Sequence, residues 1–488
     1  MNTPWLLPLL LLSFIAGCVK APPVETPELP LQAPAVWTTG EEVSSELDPE
    51  WWRTFGDEKL NSVVAEALET NYDLAIAAAR LEQAAADAKV AAADLYPQVH
   101  ANLNGSRLKQ NFVGFPIPGG EGKVLSSLST GFGLNVEVSW EVDLWGRISA
   151  QARASLASYQ ATAADLDGAR LSIAGQTVKS WFAVAEAVEQ LRLAEATLTS
   201  YQESTYQVRE RYEAGIRPSL DYRLSLANLA AAEANLFNRR QQLDLAQRQL
   251  EVLLGRYPGA DIQAPVALGV TPPEIPAGLP AELVARRPDL AAAERRLAAS
   301  GELVSVARRA RYPSISLTTA GGTVTGALTD LLDGNFTVWS LVGNLVQPIF
   351  EGGRIRANIE RADAGEDEGL AAYINAVLTA YLEVERALAA EEFLADRETA
   401  LAEASGQSIA AERLADDRYR SGLEDYVTVL ESQRRSFDAE SALISVRRVR
   451  LDNRVDLYLS LGGGFDRYQD PELAPETEND SDNDNDDK

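Results

Sequence analysis

The chain contains one arrangement of residues twice, and this internal duplication constrains its fold more than any other feature. A shift of 216 residues places the stretch 73–97 on 289–313 without a gap, and ten of the 25 positions are identical. Such repetition predicts a duplicated architecture. At a shift of 207 residues three further motif pairs coincide, namely Gly146-Arg147-Ile148 with Gly353-Arg354-Ile355, Arg211-Tyr212 with Arg418-Tyr419, and Leu254-Gly255 with Leu461-Gly462. The nine-residue change in offset falls between Pro97 and Gly146, where we expect a loop.

Each copy also changes its hydrophobic period. Within the stretch 287–320, heptad spacing before Tyr312-Pro313 gives way to a period of two, as Leu290, Leu297 and Val304 are followed by Ile315, Leu317 and Thr319. The first pattern is typical of a helix and the second of a strand, and a proline separates them because it cannot continue a helix. Each half therefore predicts the order helix, strand, loop, strand, very long helix, glycine turn and long helix.

Apolar stripes in the long segments predict helices that pack on one another. One stripe repeats every seven residues, at Leu229, Leu236, Leu243 and Leu250. Heptad spacing of this kind is the signature of helix-on-helix packing. A leucine stripe is normally core, so we assign it no chemistry.

The strand predicted at 132–144 alternates without a break. Its apolar positions are Phe132, Leu134, Val136, Val138, Trp140, Val142 and Leu144. Carboxylates lie on the opposite face, at Glu137, Glu141 and Asp143. A strand of this length reaches the roughly 9–11 residues needed to cross a bilayer, although one face of a soluble sheet can give the same alternation. Four strands cannot close a barrel, so several chains would have to share one.

The N-terminus predicts export and a lipid anchor. The apolar run 5–17 ends in small residues before Cys18, as in lipoprotein signal peptides, which would leave Cys18 acylated at the new N-terminus. An ordinary secretory signal with an incidental cysteine is the alternative. Cys18 is the only cysteine, so no disulfide is available to stabilise the chain.

The net charge of −28 counts against nucleic acid as a partner, because phosphate backbones need basic patches. Nine acidic residues and one lysine lie in the tail Asp470–Lys488. A segment of this composition predicts a disordered, solvated tail.

Ordered motifs along the chain resemble those of the TolC-like outer-membrane efflux proteins, in the NodT/OprM-type lipoprotein branch. The resemblance covers about residues 50 to 462 and rests on Trp51-Trp52, Asp57, Asn71, Asp73-Leu74, Asp143-Leu144-Trp145-Gly146-Arg147, Arg286-Arg287-Pro288-Asp289-Leu290, Pro348-Ile349-Phe350, Gly353-Arg354 and Arg418-Tyr419-Arg420-Ser421-Gly422. It implies a mainly α fold with a membrane β-barrel portion. A homotrimer would combine an α-helical periplasmic tunnel with a shared barrel of about twelve strands, four per chain.

The resemblance also implies partners and a location. The chain would be the exit duct of a tripartite efflux or secretion system in the outer membrane of a Gram-negative bacterium, with its tunnel in the periplasm. A periplasmic membrane-fusion adaptor, an inner-membrane pump of the RND type and outer-membrane lipid would be its partners. Drugs or other small solutes would pass through it, and no cofactor or metal is expected.

Two sets of functional residues follow from the same resemblance. The helix just past the second glycine turn would point Val427 and Glu431, four residues apart, at the tunnel axis as a periplasmic gate. Asp221, in the matching position of the first copy to Thr428, could add a carboxylate. The adaptor would dock on the two glycine turns, represented by Arg211, Tyr212, Gly215, Arg418, Tyr419 and Gly422.

The expected domain division follows the duplication. It comprises a signal peptide 1–17, an extended segment 18–55, a first repeat 56–255, a Pro-rich linker 256–285, a second repeat 286–462 and an acidic tail 463–488.

Two rival classes remain to be weighed. An enzyme has little support, because His100 is the only histidine and no catalytic triad, CxxC pair or phosphate-binding loop occurs. His100 is predicted to lie on the polar, lumen-facing side of the first strand. A lipid-anchored coiled-coil surface or scaffold protein without transport activity would explain the helices and the anchor, but not the alternating strands.

Overall fold

The structure is a computed structural model that describes residues 20, 22–23, 37, 48–112, 124–263, 267–268 and 286–464. Several expectations fall outside these residues: the signal peptide, acylation of Cys18, most of the Pro-rich linker and the acidic tail beyond Gly464.

Eleven α-helices and strands make up the described chain. In chain order they are α1 (Glu58–Thr70), α2 (Tyr72–Ala93), β1 (Gln98–Phe112), β2 (Leu125–Glu141), α3 (Arg147–Glu213), α4 (Ser219–Leu253), α5 (Pro288–Arg309), β3 (Ser314–Thr325), β4 (Thr337–Val346), α6 (Arg354–Arg420) and α7 (Tyr426–Ser460). Short 3-10 turns occur at Trp51–Phe55, Leu328–Asp330 and Gly334–Phe336.

The duplication is confirmed helix by helix. The helices α2 and α5 have 22 residues each, α3 and α6 have 67, and α4 and α7 have 35. Their starting points differ by the two offsets read from the sequence. The predicted order of elements therefore holds in both halves.

The expectation that the extra nine residues form a loop is wrong. The strands β1 and β2 have 15 and 17 residues, whereas β3 and β4 have 12 and 10. Most of the additional chain therefore lengthens the first hairpin. The backbone hydrogen-bond ladder between β1 and β2 continues from Gln98 opposite Ser139 to Phe112 opposite Leu125, so the longer strands absorb the insertion.

The strand 132–144 also ends earlier than predicted. β2 stops at Glu141, and Asp143 accepts hydrogen bonds from the backbone N–H of Ile148 at 3.0 Å and of Ser149 at 2.8 Å. These N–H groups belong to the first turn of α3, where they have no partner within the helix. The carboxylate that seemed to continue the polar face of the strand is a helix cap.

The four strands form one antiparallel sheet in the order β1-β2-β3-β4. In this register Leu103 lies opposite Leu134, which lies opposite Thr323, while His100 lies opposite Glu137. The alternation therefore separates an apolar face from a polar face across strands. Much of the apolar face is open in the single chain, with side chains between 64% and 81% exposed at Val99, Leu103, Trp339, Leu341 and Leu345.

The chain divides into two compact units. The first unit comprises Met1–Pro27, Glu82–Ala161 and Glu294–Ala372, and it contains the sheet. The second comprises Glu28–Leu81, Thr162–Ala293 and Tyr373–Lys488.

The second unit is a set of packed helices with an aromatic anchor. Trp51 stacks on Tyr458 at 4.9 Å between ring centroids, and Trp181 Nε1 donates to Asp57 at 2.9 Å. Asp57 also caps α1, because its side chain accepts from the N–H groups of Lys59 and Leu60. The motif residues Trp51 and Asp57 thus fasten the N-terminal segment to the helices.

None of the helices in the described ranges combines the length and apolar character required to span a membrane.

Candidate functional site

The candidate site is formed by two glycine turns of the second unit. Turn 1, residues 214–218, joins α3 to α4, and turn 2, residues 421–425, joins α6 to α7. In turn 1 the N–H groups of Gly215 and Ile216 donate to the carbonyls of Tyr212 and Arg211, both at 2.9 Å. In turn 2 those of Gly422 and Leu423 do the same toward Tyr419 and Arg418.

Both turns need glycine for their backbone conformation. Gly215 and Gly422 each have a φ of 74°, which L-residues with side chains resist. No atom lies within 4 Å of a Cβ built at either glycine. Glycine is therefore required for its positive φ and not because a side chain would clash. The paired hydrogen bonds of a Schellman cap need this φ.

Arg211 connects the two turns. Its Nη1 and Nη2 donate to the backbone carbonyls of Tyr419 and Arg420, both at 2.8 Å, and its guanidinium lies 4.5 Å from the centre of the Tyr419 ring. These carbonyls belong to the C-terminal end of α6, where a cation is favourable. The structure therefore brings the predicted docking residues of the two copies together.

A second cation joins this arrangement, and sequence reasoning missed it. Arg217 donates to Asp425 and to the Glu424 carbonyl, both at 3.1 Å, and lies 5.2 Å from the centre of the Tyr419 ring. The repeat aligns Arg217 with Glu424. This reversal of charge at one repeat position was a usable signal of contact between the copies.

The contacting turns enclose an aromatic cluster. Tyr419 and Tyr426 have ring centroids 5.5 Å apart, and Val208, Ala415 and Val429 complete the buried set. The sequence reading singled out Tyr419 but not Tyr426. We call these five residues the tip cluster.

Burial governs the ionisation of the tyrosines in this cluster. It raises the pKa of Tyr426 to about 12, because the phenolate would lose its hydration there. Ser204 Oγ donates a hydrogen bond to the Tyr426 hydroxyl at 3.3 Å. Both phenols stay neutral at physiological pH.

The predicted gate residues Val427 and Glu431 lie in the first two turns of α7, just beyond the second glycine turn. Val427 is 57% exposed in the single chain. Glu431 accepts hydrogen bonds from Arg435 Nε at 2.8 Å and from Arg434 Nη2 at 2.9 Å, and these bonds hold the pKa of the Glu431 carboxyl below its usual value. A negative charge at this position therefore has arginine partners within its own helix.

Asp221 has a different environment from Glu431. It stands in the first turn of α4 and is only 8% exposed, whereas the Glu431 side chain is 41% exposed. Its negative charge adds to burial in raising the pKa of Tyr419, while Arg211 and Arg217 oppose that rise. Asp221 thus acts on the tip cluster from inside the chain.

His100 lies on the polar face of β1, directly opposite Glu137 in β2. Its lumen-facing role stays a prediction. Across the described ranges, His, Cys, Asp and Glu nowhere gather in a group of three or more that could hold a metal ion.

Comparison with known proteins identifies the family. The model of the outer membrane efflux protein family matches residues 63–256 and 279–463. The solvent efflux pump outer membrane protein SrpC of Pseudomonas putida is 32% identical over 471 residues, covering 94% of this chain and 98% of SrpC. Outer membrane protein OprJ of Pseudomonas aeruginosa is 33% identical over 462 residues, covering 94% and 95%.

Solved structures agree. The outer-membrane channel OprN superposes with a TM-score of 0.82 at 30% identity, covering 91% of this chain and 99% of that one. The Campylobacter jejuni CmeC outer membrane channel gives a TM-score of 0.83 at 27% identity, covering 93% and 96%. The predicted fold class and the predicted function as an outer-membrane efflux channel are confirmed. This chain belongs to the outer membrane efflux protein family.

Proposed function

We propose that three copies of this chain form the exit duct of a tripartite efflux or secretion system. The duct passively conducts drugs or other small solutes across the periplasm and the outer membrane, and it performs no chemistry of its own. An adaptor and an inner-membrane pump of the RND type supply docking and energy. Two relatives are the outer membrane proteins of a solvent efflux pump and a toluene efflux pump, so small apolar solutes are the first cargo class to test.

The four-stranded sheet is the observation that carries this proposal. β1 and β4 are its edge strands, and each presents unpaired backbone groups on its outer side. Open edges are not tolerated in lipid, because nothing there can accept or donate the missing hydrogen bonds. Three copies of four strands close a barrel of twelve, within the range of about 8–26 strands known for outer-membrane barrels.

The segment after Cys18 supports a lipid anchor near that barrel. Arg295 is 7% exposed, and its Nη1 and Nη2 donate to the carbonyls of Pro22 and Pro23 at 3.0 and 3.2 Å. These contacts tie the segment to α5 within the unit that contains the sheet. We propose that Cys18, four residues before Pro22, carries acyl chains in the outer membrane. Cys18→Ser should then abolish labelling by a radiolabelled fatty acid.

The tip cluster supports the remaining parts of the proposal. Turns 1 and 2 contact each other and form one surface to which an adaptor can bind. Val427 and Glu431 follow turn 2 along the chain, and their side chains are about half exposed. In a threefold assembly they would form an apolar ring and a ring of carboxylates. Arg434 and Arg435 would reduce the repulsion among those carboxylates.

Single-channel recording in a planar bilayer tests the duct. The purified protein should give stepwise conductance, whereas a coiled-coil scaffold should give none. A matched pair of variants sharpens the test: Leu103→Arg puts a charge on the apolar face of β1 and should cost about 2–4 kcal/mol near the bilayer midplane, while Asn102→Arg puts it on the polar face. Insertion should fail for the first variant and persist for the second. Equal insertion of both would contradict a lipid-facing sheet.

A further inference from the structure

The four strands of the sheet sort their charges by face. Their acidic residues are Glu137 and Glu141 in β2, and their arginine and lysine residues are Arg107 and Lys109 in β1. Successive side chains of a strand point to opposite faces. Arg107 and Lys109 follow Leu103 by an even number of residues, so they share its apolar face, whereas both acids lie on the polar face of β2. We call Arg107 and Lys109 the cation pair.

The cation pair has no counter-charge on its own face of the hairpin. Both side chains are exposed, and in the part of the chain that the structure describes neither forms an ion pair or a hydrogen bond. Their neighbours across the ladder and along β1 are all uncharged, namely Thr130, Leu128, Gly105 and Asn111. Two like charges on Cα atoms about 7 Å apart repel each other. An external anion between them would remove that repulsion.

The position of the pair along β1 indicates where such an anion would be. The helices α2 and α3 adjoin the sheet at Gln98 and Glu141, and the cation pair lies toward the opposite end of the hairpin. From Val99 to Lys109 the strand rises roughly 33 Å, at about 3.3 Å per residue. With a strand tilt of about 40°, this corresponds to about 25 Å along a barrel axis, which is the height of the apolar band of an outer-membrane barrel. The pair therefore falls at the edge of that band, on the side away from the helices.

The second hairpin treats the equivalent positions differently. The repeat offset of 216 residues places Thr323 and Thr325 where the first hairpin has the cation pair. Thr323 Oγ1 donates to the Leu331 carbonyl at 2.5 Å, and Thr325 is only 5% exposed. The loop between β3 and β4 thus satisfies these threonines, and its Leu328 and Leu332 are 61% and 85% exposed. The first hairpin leaves its two cations open to a ligand from outside the chain.

We propose that the cation pair binds the phosphate groups of the phosphorylated, acylated glycolipid that forms the outer leaflet of a Gram-negative outer membrane. The inference rests on the proposed function, which turns the apolar face of the sheet toward lipid, and it specifies the lipid and its site. The planar guanidinium of Arg107 can hold two phosphate oxygens at once, while Lys109 adds a point charge. The acyl chains of the same molecule would lie along the apolar face below the pair.

The charge of the whole chain makes this a local site. A net charge of −28 gives no general attraction for an anionic lipid. Interactions between exposed charges are screened beyond about 10 Å at moderate salt. Binding of a phosphorylated lipid therefore depends on the two cations and not on the field of the protein.

Native mass spectrometry of the full-length protein in a neutral detergent, titrated with bisphosphorylated lipid A, tests the site. Arg107→Gln with Lys109→Gln should weaken binding about 30-fold, as expected for the loss of two cations at an anionic lipid surface. The exchange Arg107→Lys with Lys109→Arg keeps both charges and should bind within about threefold of the wild type. Arg80→Gln with Lys89→Gln removes the same charges from exposed positions of α2 and should bind as the wild type does.

The chemistry of the ligand is tested with three further probes. Lipid A without its phosphates should bind the wild-type protein no more tightly than the bisphosphorylated form binds the glutamine variant. Millimolar inorganic phosphate should not displace bisphosphorylated lipid A, and phosphatidylglycerol should bind at least tenfold more weakly. Displacement by free phosphate, or equal binding of phosphatidylglycerol, would overturn the assignment to a glycolipid.

Conductance in a planar bilayer separates this inference from the duct. The glutamine variant should still form trimers that conduct as the wild type does. A conducting trimer that binds lipid A equally well with and without the two cations overturns the phosphate site alone. A wild-type protein that is monomeric and does not conduct overturns the proposed function, and the site with it.

Discussion

Turns 1 and 2 have the same backbone and opposite side-chain roles. Both end a 67-residue helix, begin a 35-residue helix and place a glycine at a φ of 74°. Arg211 at the end of α3 and Arg217 in turn 1 supply the cations, whereas the end of α6 and turn 2 supply their acceptors and the Tyr419 ring.

This difference shows how a duplicated chain makes an interface with itself. Two identical turns would oppose like charges, which is unfavourable. Arg211 keeps the same residue type at its repeat position, Arg418, whereas Arg217 and Asp425 have Glu424 and Pro218 at theirs, so divergence at these positions creates the complementary pair. The duplication thus provides two equivalent turns, and the residues that differ between them decide which turn supplies the hydrogen-bond donors and which supplies the acceptors.

The largest expected effect comes from the predicted gate residues Val427 and Glu431, of which Glu431 differs in chemistry from its equivalent in the first copy, Leu224. Val427→Ala with Glu431→Ala should raise single-channel conductance and make cells sensitive to large antibiotics such as vancomycin, because a ring of side chains at the constriction would be removed. Single-channel recording in a planar bilayer measures the conductance, and growth on plates containing vancomycin measures the antibiotic sensitivity.

The first copy provides a control for this prediction. Its residue equivalent to Val427 is Leu220, which is 62% exposed. Leu220→Ala should leave conductance near the wild-type value. Wild-type conductance in the double variant, at normal expression, would place the constriction elsewhere.

Breaking the contact between the turns should have the next largest effect. Arg211→Ala removes two hydrogen bonds from a charged donor and should cost about 2 kcal/mol locally, or roughly 30-fold faster amide exchange in turn 2. Its repeat equivalent Arg418 makes a 3.5 Å ion pair with Glu424 and is 53% exposed, so Arg418→Ala should change exchange little. Equal protection in both variants would mean that Arg211 does not hold the turns together.

The copies also differ at a partly buried acid on α7, whose side chain is 18% exposed. Asp452 has the equivalent Leu245, which is 53% exposed. Burial raises the pKa of Asp452 to about 6, although Arg448 and Lys179 oppose the rise. The folded protein therefore holds this proton up to about pH 6, while the unfolded chain releases it near pH 4, so stability falls as the pH rises between those values.

Asp452→Asn removes that dependence. The free energy of unfolding at pH 7 should rise by about 1–3 kcal/mol, and the gain should vanish below about pH 4. Thermal unfolding followed between pH 4 and pH 7 measures it, with Leu245→Asn as the control at the equivalent position of the first copy. A stability gain that does not change with pH would contradict a titrating Asp452.

The smallest effect should come from the glycine of turn 2. Gly422→Val forces a β-branched residue to a positive φ and should cost about 1–2 kcal/mol in the turn, weakening cross-linking to the adaptor while trimers persist. Gly422→Asn tolerates this φ better and should retain most of the cross-linking. Unchanged cross-linking and export with valine at this position would count against docking on turn 2.

The sequence alone determined the family, the order of elements and the conformation of the two turns. Heptad and alternating periods follow directly from helix and strand geometry, and a glycine that ends a long apolar stripe predicts a left-handed cap. These are local properties, so Gly215, Gly422 and the switch at Pro313 could be read without a structure.

Only the tertiary structure decided which distant groups meet. Asp143 caps α3 instead of extending β2, Asp221 is buried, Arg217 lies over the Tyr419 ring, and Tyr426 belongs to the tip cluster. The contacts of Asp221, Arg217 and Tyr426 join residues far apart along the chain and have no periodic signature, whereas the Asp143 cap spans only five and six residues and was hidden by the alternating pattern. The aspartates show this: Asp143 caps a helix, whereas Asp221 is buried near the tip cluster. Packing of the whole fold decides which groups surround each carboxylate.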